Sequence, residues 1–472
     1  MCTSSPGRNA MPAAHETPRH VNIAIVGGGA SGVLVAAHLL DTGVPPQGIA
    51  LIDAGPAPGR GVAYGTEAPE HLLNVTAGGM SAFAGTPTDF VRFLGAGQDG
   101  GPVDTIPAMF APRRDYARYL RHVLESRAGF PALRQVRDRV SDIERSDGSF
   151  RLRLASGGSL QADAVVLAVG NAPRALRVPP VLEDRVLQAW NPSGLAGLPP
   201  DADLCIIGSG LSMVDAALTL DRAGHRGRMH VLSRHGLMPL PHAHSSAPAA
   251  TGDTAAGLLD LGAARRLRLL RRMAADAAAA GEPWQWVFDR LRPHGQRLWQ
   301  SWSEAEQARF LRHLVRYWDL HRHRIAPQVH AVLARLQDSG RLHVHAGRLF
   351  AVEPSTDGGC RIRYRARVTQ AETTLHCDWI VNATGIETRV RARGDDLPAA
   401  LLARGLAAPG PHGLGFASRG IGHVVDAQGH AASDLLVIGA LRLGDLWETI
   451  AVPDLRQHAA AIASHLADQY RR

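Results

Sequence analysis

The chain has 472 residues, of which 45% are hydrophobic and 20% charged, and its formal net charge at pH 7 is +8. This length exceeds what one hydrophobic core usually holds, so we expect two or three domains. The sequence shows no secretory signal and no apolar run of the roughly 18 residues that a membrane helix needs, which argues against a secreted or membrane-spanning protein. The excess of arginine indicates a surface that attracts anionic small molecules rather than a nucleic-acid-binding protein.

The four cysteines, Cys2, Cys205, Cys360 and Cys377, are far apart in the sequence. Their spacing matches neither a C-x-x-C pair nor a set of metal ligands. We therefore expect a reducing, cytoplasmic environment and no metal site. Residues 1–20 are polar and contain prolines, which predicts a disordered tail.

The first structured segment predicts a dinucleotide site. A strand, a glycine turn, a helix and a second strand are expected at 21–26, 27–32, 31–42 and 49–52. In this pattern Gly27 makes the tight turn, Gly29 lets a pyrophosphate approach, and Gly32 lets helix and strand pack closely. The phosphates would face the positive end of the helix. Asp53 ends the second strand, where its carboxylate can accept hydrogen bonds from a ribose hydroxyl.

A glycine- and proline-rich segment, Gly55 to Gly65, follows and is expected to form a loop over a ligand. His71 and Asn74 come directly after it and are weak candidates for catalytic residues. The rest of the first unit predicts one helix and a run of short strands, at 115–127, 139–145, 150–155, 159–161 and 164–169.

A second glycine turn follows a strand at 203–207. Gly208, Ser209 and Gly210 keep the two glycines that meet phosphates, whereas Met213 replaces the third. The next strand, 229–232, is followed by Arg234 and lacks an acid. An arginine suits a 2′-phosphate, so the sequence predicts a preference for NADPH.

The region 250–338 is expected to be a helical insertion containing five of the eight tryptophans. Basic and aromatic residues alternate in it, a pattern also found in proteins that bind single-stranded nucleic acid. Spacings of three and four favour instead the buried face of packed helices, formed by Trp299, Trp302, Phe310, Leu314 and Tyr317. Strands are then predicted at 342–346, 361–367, 373–377 and 379–382, with a last strand, a loop and a helix within 434–466.

These elements predict an α/β protein with two Rossmann-like dinucleotide-binding domains plus a helical insertion. The first domain comprises 21–185 and 378–472, and the second, 186–377, is inserted within it. Two dinucleotides in one chain suggest a flavin and a nicotinamide. Because no cysteine pair is available for disulfide reduction, the electrons are expected to pass to oxygen, a quinone or a bound organic acceptor.

Several segments together resemble a family of bacterial FAD/NAD(P)-binding proteins that are similar to flavin monooxygenases and N-hydroxylating enzymes. They are GRGVAYG at 59–65, HLLNV at 71–75, MSAF at 80–83, RHG at 234–236, HRHR at 321–324 and AVPDLR at 451–456. The resemblance covers nearly the whole chain from about residue 21. It implies that FAD lies on Gly27, Gly29, Ala30, Ser31, Gly32 and Asp53, covered by Arg60, Met80 and Ser81 and closed by Gly439 and Asp445. NAD(P)H would lie on Gly208, Ser209 and Gly210.

The resemblance further implies an FAD-dependent monooxygenase that uses NAD(P)H and O₂ on a small polar or anionic substrate. Within such proteins the overall similarity points to the urate hydroxylase type, which forms 5-hydroxyisourate in purine breakdown. Arg60 and Arg324 could then hold the anion by paired hydrogen bonds. The alternatives are N-hydroxylation of an amino acid such as aspartate, an NAD(P)H:quinone or electron-carrier oxidoreductase, and a non-catalytic nucleotide-sensing module.

Overall fold

The structure is a computed structural model and describes residues 19–97, 103–245, 247–248, 252–356, 358–394 and 397–470. The predicted disordered tail, 1–20, lies outside these residues apart from Arg19 and His20, which begin the first strand. Within the described ranges, no helix is both long and apolar enough to cross a membrane.

The first part of the chain forms strands and helices in alternation, followed by an antiparallel meander. Its elements are β1 (Arg19–Val26), α1 (Ala30–Leu40), β2 (Ile49–Ile52), α2 (Asp89–Ala96), α3 (Arg113–Glu125), β3 (Arg134–Val136), β4 (Val140–Ser146), β5 (Ser149–Leu154) and β6 (Ser159–Leu167). The two strands predicted at 159–161 and 164–169 thus form the single strand β6.

The middle part repeats this plan around a set of inserted helices. Its elements are β7 (Val186–Gln188), α4 (Pro192–Ala196), β8 (Leu204–Ile207), α5 (Leu211–Arg222), β9 (Met229–Ser233), α6 (Ala263–Ala279), α7 (Gln285–Leu291), α8 (Gly295–Gln300), α9 (Glu304–His313), α10 (Val315–Arg322), α11 (Pro327–Asp338), β10 (Leu342–Pro354), β11 (Cys360–Ala366), β12 (Glu372–Cys377) and β13 (Trp379–Asn382).

The last part returns to the first sheet. Its elements are α12 (Leu397–Ala403), β14 (Ser418–Arg419), β15 (His423–Val425), β16 (Ala431–Val437), α13 (Leu443–Leu446) and α14 (Val452–Tyr470). Short 3₁₀ turns, such as Gly439–Arg442, connect several of these elements.

The first sheet has the order β14-β15-β16-β6-β1-β2-β3, and the β4–β5 hairpin joins it through β5 and β6. Strands β16, β6, β1, β2 and β3 are parallel. Helices α1, α3 and α14 cover one face, and the hairpin with α12 covers the other. Because both faces are covered, the central strands read as continuous apolar runs, such as the one in β1.

The second sheet has the order β12-β11-β10-β9-β8-β13-β7. Strands β7, β13, β8, β9 and the start of β10 are parallel, and β10 then extends into an antiparallel meander with β11 and β12. This arrangement places a second Rossmann-like unit between β6 and β14 of the first, as the predicted fold class requires.

Two predicted boundaries differ from the structure. The second unit was expected to end at residue 377, but β13, at Trp379–Asn382, pairs with both β7 and β8 of the second sheet. An apolar strand followed by a glycine ends both units, so local sequence does not reveal which sheet such a strand joins. The predicted insertion, 250–338, also includes α11, which packs on α5 and forms the crossover between β9 and β10.

The two chain segments that connect the units run side by side. Pro173 and Ile386 form an antiparallel bridge. The Arg174 N–H donates to the Gly385 carbonyl at 3.0 Å, and the Glu387 N–H donates to the Ala172 carbonyl at 2.8 Å. The chain therefore enters and leaves the second unit through one hydrogen-bonded pair of connectors.

Candidate dinucleotide sites and the residues between them

The first glycine turn lies at the carboxyl end of β1 and is required by the packing around it. Gly27 has φ +106°, and a Cβ atom there would lie 2.3 Å from the carbonyl oxygen of Ala168, just after β6. A Cβ at Gly32 would lie 1.8 Å from the carbonyl oxygen of Gly27. Both positions therefore need glycine for the backbone to turn and for α1 to approach the sheet.

Gly29, by contrast, borders open space. A Cβ there would be in ordinary van der Waals contact, 3.6 Å from the Cα of Gly61. Gly29 is the N-cap of α1, and no side chain caps the helix. The first N–H groups of α1, from Ala30 onward, can therefore bind the pyrophosphate of a dinucleotide. The residues present fit the predicted cofactor.

Asp53 is fixed at the end of β2 by backbone donors. The Gly28 N–H donates to one carboxylate oxygen, and the Gly55 N–H donates to the other at 2.5 Å. A carboxylate has further lone pairs, and Asp53 is only half-buried, so it can still accept from a ribose hydroxyl.

The predicted covering loop lies directly against the turn. The Gly59 N–H donates to the Gly28 carbonyl at 2.8 Å. The Arg60 guanidinium, expected to contact FAD or a substrate anion, donates to the Gly65 carbonyl at 3.1 Å and pairs with Glu67 at 2.5 Å. Arg60 thus stabilises its own loop.

Met80 and Ser81, predicted to cover the flavin, are buried in the core of the first unit. The Ser81 hydroxyl donates to the Thr86 carbonyl at 2.6 Å, and Arg456 of α14 donates to the Ser81 carbonyl at 3.1 Å. These contacts fix the segment around Ser81 against α14.

The segment after β16 reaches the start of α1. A Cβ at Gly439, which has φ +81°, would lie 3.1 Å from the Ser31 hydroxyl oxygen. Asp445 accepts hydrogen bonds from both the N–H and the hydroxyl of Ser418, at 2.8 and 2.6 Å. Burial raises the pKa of Asp445. Gly439 therefore borders the first turn, whereas Asp445 anchors β14.

The second turn has the same geometry as the first. Gly208 has φ +113°, and a Cβ there would lie 2.2 Å from the Ala383 carbonyl oxygen, just after β13. A Cβ at Gly210 would have no atom within 4 Å, and no side chain caps α5. Met213 replaces the third glycine and is fully buried. The Ser209 hydroxyl donates to the Leu237 carbonyl at 2.6 Å, so it holds the segment after β9.

The carboxyl end of β9 is strongly basic. Burial lowers the pKa of Arg234, and the positive charges of Arg316, Arg174 and Arg348 lower it further. Among the described residues, no carboxylate forms an ion pair with Arg234. A phosphate placed here would relieve the repulsion between these guanidinium groups.

The candidate catalytic residues have structural partners. His71 is buried, its Nδ1 lies 2.9 Å from the Thr66 hydroxyl, and its Nε2 lies 2.8 Å from the hydroxyl of Thr219 on α5. The Asn74 carbonyl accepts from His242 at 3.0 Å. Arg324 is only 2% exposed and pairs with Asp289. These contacts join distant segments of the chain.

A buried polar cluster that the sequence did not predict lies between the inserted helices and the C-terminal segment. Glu448 accepts from the Trp318 indole N–H at 3.0 Å and from Arg322 at 3.2 Å. Burial raises the pKa of Asp454 to about 6. Within the described part of the chain, Arg292, Arg322 and Arg456 each have a buried nitrogen without a hydrogen-bond partner: Arg292 Nη2, Arg322 Nε and Arg456 Nε. The cluster adjoins the first turn, since the Thr449 hydroxyl contacts the Gly439 carbonyl at 3.4 Å.

The structure also brings three of the four cysteines together. Cys205, Cys360 and Cys377 are buried in the second sheet, where Cys360 and Cys377 are opposite each other on β11 and β12. Hydrogen bonding to Cys377 and burial raise the pKa of the Cys360 thiol well above its usual range. A buried neutral thiol is a poor nucleophile, so this cluster contributes to packing.

The comparisons with known proteins support the α/β fold with two Rossmann-like units. Residues 24–172 match a family model described as FAD-NAD(P)-binding. A comparison with curated proteins finds no significant match.

Three solved enzyme structures cover nearly the whole chain. The FAD-bound cadaverine monooxygenase of desferrioxamine biosynthesis from Erwinia amylovora has a TM-score of 0.65 at 14% identity, covering 97% of this chain and 96% of its own. The ornithine N-hydroxylase from Kutzneria sp. 744, solved with reduced FAD, NADP⁺ and L-ornithine, has a TM-score of 0.64 at 14% identity, covering 96% and 100%. Bacillithiol disulfide reductase from Bacillus cereus has a TM-score of 0.55 at 15% identity, covering 96% and 100%. The chain therefore has the double-dinucleotide α/β fold of these enzymes, and its segment 24–172 matches the FAD-NAD(P)-binding family.

Proposed function

We propose that this protein is an FAD-dependent monooxygenase that uses NADPH and O₂ to hydroxylate a nitrogen atom of a small organic substrate. The observation that carries the proposal is the pair of uncapped glycine turns in one chain. Asp53 lies beside the first turn, and Arg234 with neighbouring arginines lies beside the second. Two flavin N-hydroxylases share this architecture over at least 96% of the chain.

The residues of the two turns would hold the cofactors. Gly27, Gly29 and the N-terminus of α1 bind the FAD pyrophosphate, and Asp53 binds its ribose. Gly208 and Gly210 bind the nicotinamide dinucleotide, with Arg234 near its 2′-phosphate. Bound FAD supplies the chemistry that passes electrons from the nicotinamide to oxygen. The protein positions the substrate and excludes water.

Nitrogen hydroxylation fits better than urate hydroxylation. Two of the three neighbours reported above are a cadaverine monooxygenase and an ornithine N-hydroxylase, and none of the three is a urate hydroxylase. Arg60 and Arg324, expected to hold a urate anion, pair with Glu67 and Asp289 instead. Arg292 Nη2 and Arg322 Nε are buried without a hydrogen-bond partner among the described residues, and we propose them as donors to an anionic group of the substrate.

A flavin reductase is a second candidate, because bacillithiol disulfide reductase shares the fold. The three cysteines that the structure describes are buried in the second sheet, so they cannot relay electrons to a disulfide. A reductase would therefore have to pass electrons from the flavin directly to its acceptor.

Purified protein loaded with FAD tests the proposal. Oxygen uptake and NADPH oxidation are followed while amino acids, aliphatic diamines and urate are added separately, and products are analysed by mass spectrometry. We expect an amine substrate to accelerate oxygen uptake and gain one oxygen atom. Turnover with an artificial acceptor under anaerobic conditions, without any oxygenated product from any substrate in air, would identify a reductase instead. Oxidation of urate as the preferred substrate would overturn nitrogen hydroxylation.

A further inference from the structure

The inserted helices α6–α10, together with Leu240 and Trp447, line a partly open cavity of about 340 Å³. Aromatic side chains dominate its wall, including Trp284, Phe288, Trp299, Trp302 and Phe310. Protein interiors normally contain few voids larger than a water molecule. An apolar cavity of about 150 Å³ is enough to take up benzene, and small-molecule sites usually begin at about 300 Å³. This space therefore has the size of a ligand site.

Three of the indole N–H groups in the wall already have hydrogen-bond acceptors. The indole N–H of Trp299 donates to the Gly444 carbonyl at 2.9 Å, and that of Trp302 donates to the Leu261 carbonyl at 2.9 Å. The indole N–H of Trp318 donates to Glu448. The tryptophans thus present ring faces and edges to the cavity, which favours an apolar, ring-containing occupant.

The charges around the cavity exclude one class of ligand. Its described lining includes Arg266, Arg271 and His321 but no aspartate or glutamate. Arg266 donates to the carbonyls of Leu258 and Leu298 at 3.0 and 2.7 Å, and its guanidinium lies 4.1 Å from the ring centroid of Trp302. This fixed positive charge repels a cation, so the wall suits an uncharged or anionic molecule.

One wall residue has an unusual backbone conformation. Trp447 has φ +61° and ψ −64°, and the Glu448 N–H donates across it to the Leu446 carbonyl at 2.7 Å. This is a classic γ-turn, a rare and strained conformation, and such strain is concentrated at ligand-binding sites. The turn stacks the Trp447 ring on Trp299, with centroids 5.2 Å apart.

The same turn joins the cavity to the first dinucleotide site. Glu448 follows Trp447, and the next residue, Thr449, contacts the Gly439 carbonyl. Gly439 in turn borders Ser31 at the start of α1. A molecule against Trp447 would therefore lie beside the segment that closes the FAD site.

We propose that this cavity is a binding site for an uncharged or anionic small molecule with one or more apolar rings, held against Trp447. The proposal goes beyond the proposed function because binding requires no turnover. The molecule is a ligand separate from the amine substrate of the proposed function, because such an amine is cationic at neutral pH and this wall disfavours a cation.

Isothermal titration calorimetry of the FAD-loaded protein, without NADPH, measures binding directly. Three naphthalene probes share one ring system and carry a neutral, an anionic or a cationic substituent at position 2: 2-naphthol, 2-naphthoate and 2-naphthylmethylammonium. We expect the uncharged and anionic probes to bind at one site, and the cation to bind about tenfold or more weakly. Absence of binding by both of the first two probes, or preference for the cation, would overturn the proposal.

Cavity-filling variants locate the site. Ala274 on α6 lines the cavity and is half-buried, so Ala274→Phe places a ring inside it, whereas the exposed neighbour Ala275 gives the matched control Ala275→Phe. We expect Ala274→Phe to weaken probe binding about tenfold or more and Ala275→Phe to change it less than about twofold. Leu267→Trp fills the same cavity from another turn of α6 and serves if Ala274→Phe does not fold. Unchanged binding in a folded filling variant, verified by melting and by its FAD spectrum, would place the site elsewhere.

Adding NADPH and oxygen to the bound complex tests whether the occupant is separate from the substrate. We expect the bound probe to be recovered intact while it alters KM or kcat for an amine substrate. Consumption and oxygenation of the probe would overturn its assignment as a separate ligand. Because the calorimetry needs no turnover, it retains its meaning even if the monooxygenase proposal fails.

Discussion

Arg113 on α3 binds Asp215 on α5 through two parallel hydrogen bonds of 2.7 and 2.9 Å. The pair joins the first dinucleotide unit to the second. Asp215 is only 7% exposed, and the Arg113 Nε also donates to the Leu72 carbonyl at 3.1 Å. His71, next to Leu72, contacts Thr219 one turn further along α5. The contact between the units is therefore specific and largely dry.

Removing the arginine should destabilise the protein strongly. In Arg113→Ala the carboxylate of Asp215 stays buried without its partner, which typically costs about 3–5 kcal/mol. Urea unfolding monitored by circular dichroism measures the change in free energy of unfolding. Arg118→Ala is the matched control on the same helix, because Arg118 pairs with Asp115 at 3.1 Å on the exposed surface and such pairs contribute at most about 1 kcal/mol. Equal losses in the two variants would show that the pair does not stabilise the interface.

Two alanine substitutions should separate the cofactors. Neither Gly29→Ala nor Gly210→Ala produces a clash within the protein, but each adds a methyl group where a pyrophosphate is expected. Gly29→Ala should lower the bound FAD content, whereas Gly210→Ala should retain FAD and raise the Kd for NADPH about tenfold. Flavin absorbance and NADPH titration measure the two effects. Gly257→Ala, also free of clashes but remote from both turns, should change neither.

Arg234→Ala should reduce the preference for NADPH over NADH. The substitution removes the central guanidinium of the basic group at the end of β9, and a charge-assisted contact to a phosphate is worth about 1.5–3 kcal/mol, or roughly 10- to 100-fold in kcat/KM. The ratio of kcat/KM for the two nucleotides is measured in the wild type and the variant. Arg335→Ala, in an exposed pair with Asp221, is the control. A wild-type enzyme that prefers NADH would refute the assignment.

The stability of the protein should depend on pH through His242. Burial lowers the pKa of His242 to about 4, and the charge of Arg324 lowers it further. Since the unfolded chain binds a proton near pH 6.5, His242 favours folding fully above that pH, and this contribution is lost as pH falls from about 6.5 to about 4. His242→Gln can still donate to the Asn74 carbonyl and should flatten this part of the curve by about 1–2 kcal/mol. Urea unfolding at pH 7.0 and 5.0 measures the difference. An identical pH dependence in both proteins would contradict the prediction.

The sequence predicted local elements well and distant contacts poorly. The strand at 49–52 and the turn from Gly27 to Gly32 follow from apolar runs and glycine spacing, which act within a few residues. The sequence does not reveal which strands pair with β13, or that Cys205 lies beside Cys377, because both depend on which strands become neighbours in the sheet. His71 appeared to be a candidate base because nothing in the sequence reveals Thr219, which lies 148 residues away.

The paired connectors at Pro173 and Ile386 place the entry and the exit of the second unit next to each other. A rotation of the second unit against the first would have to bend the backbone at this two-stranded joint. It would also break the side-chain contacts of Asp215 and His71 on α5 and those of Glu448 with the inserted helices. Exchange of the second unit for another would therefore need both connectors and a matching set of these contacts.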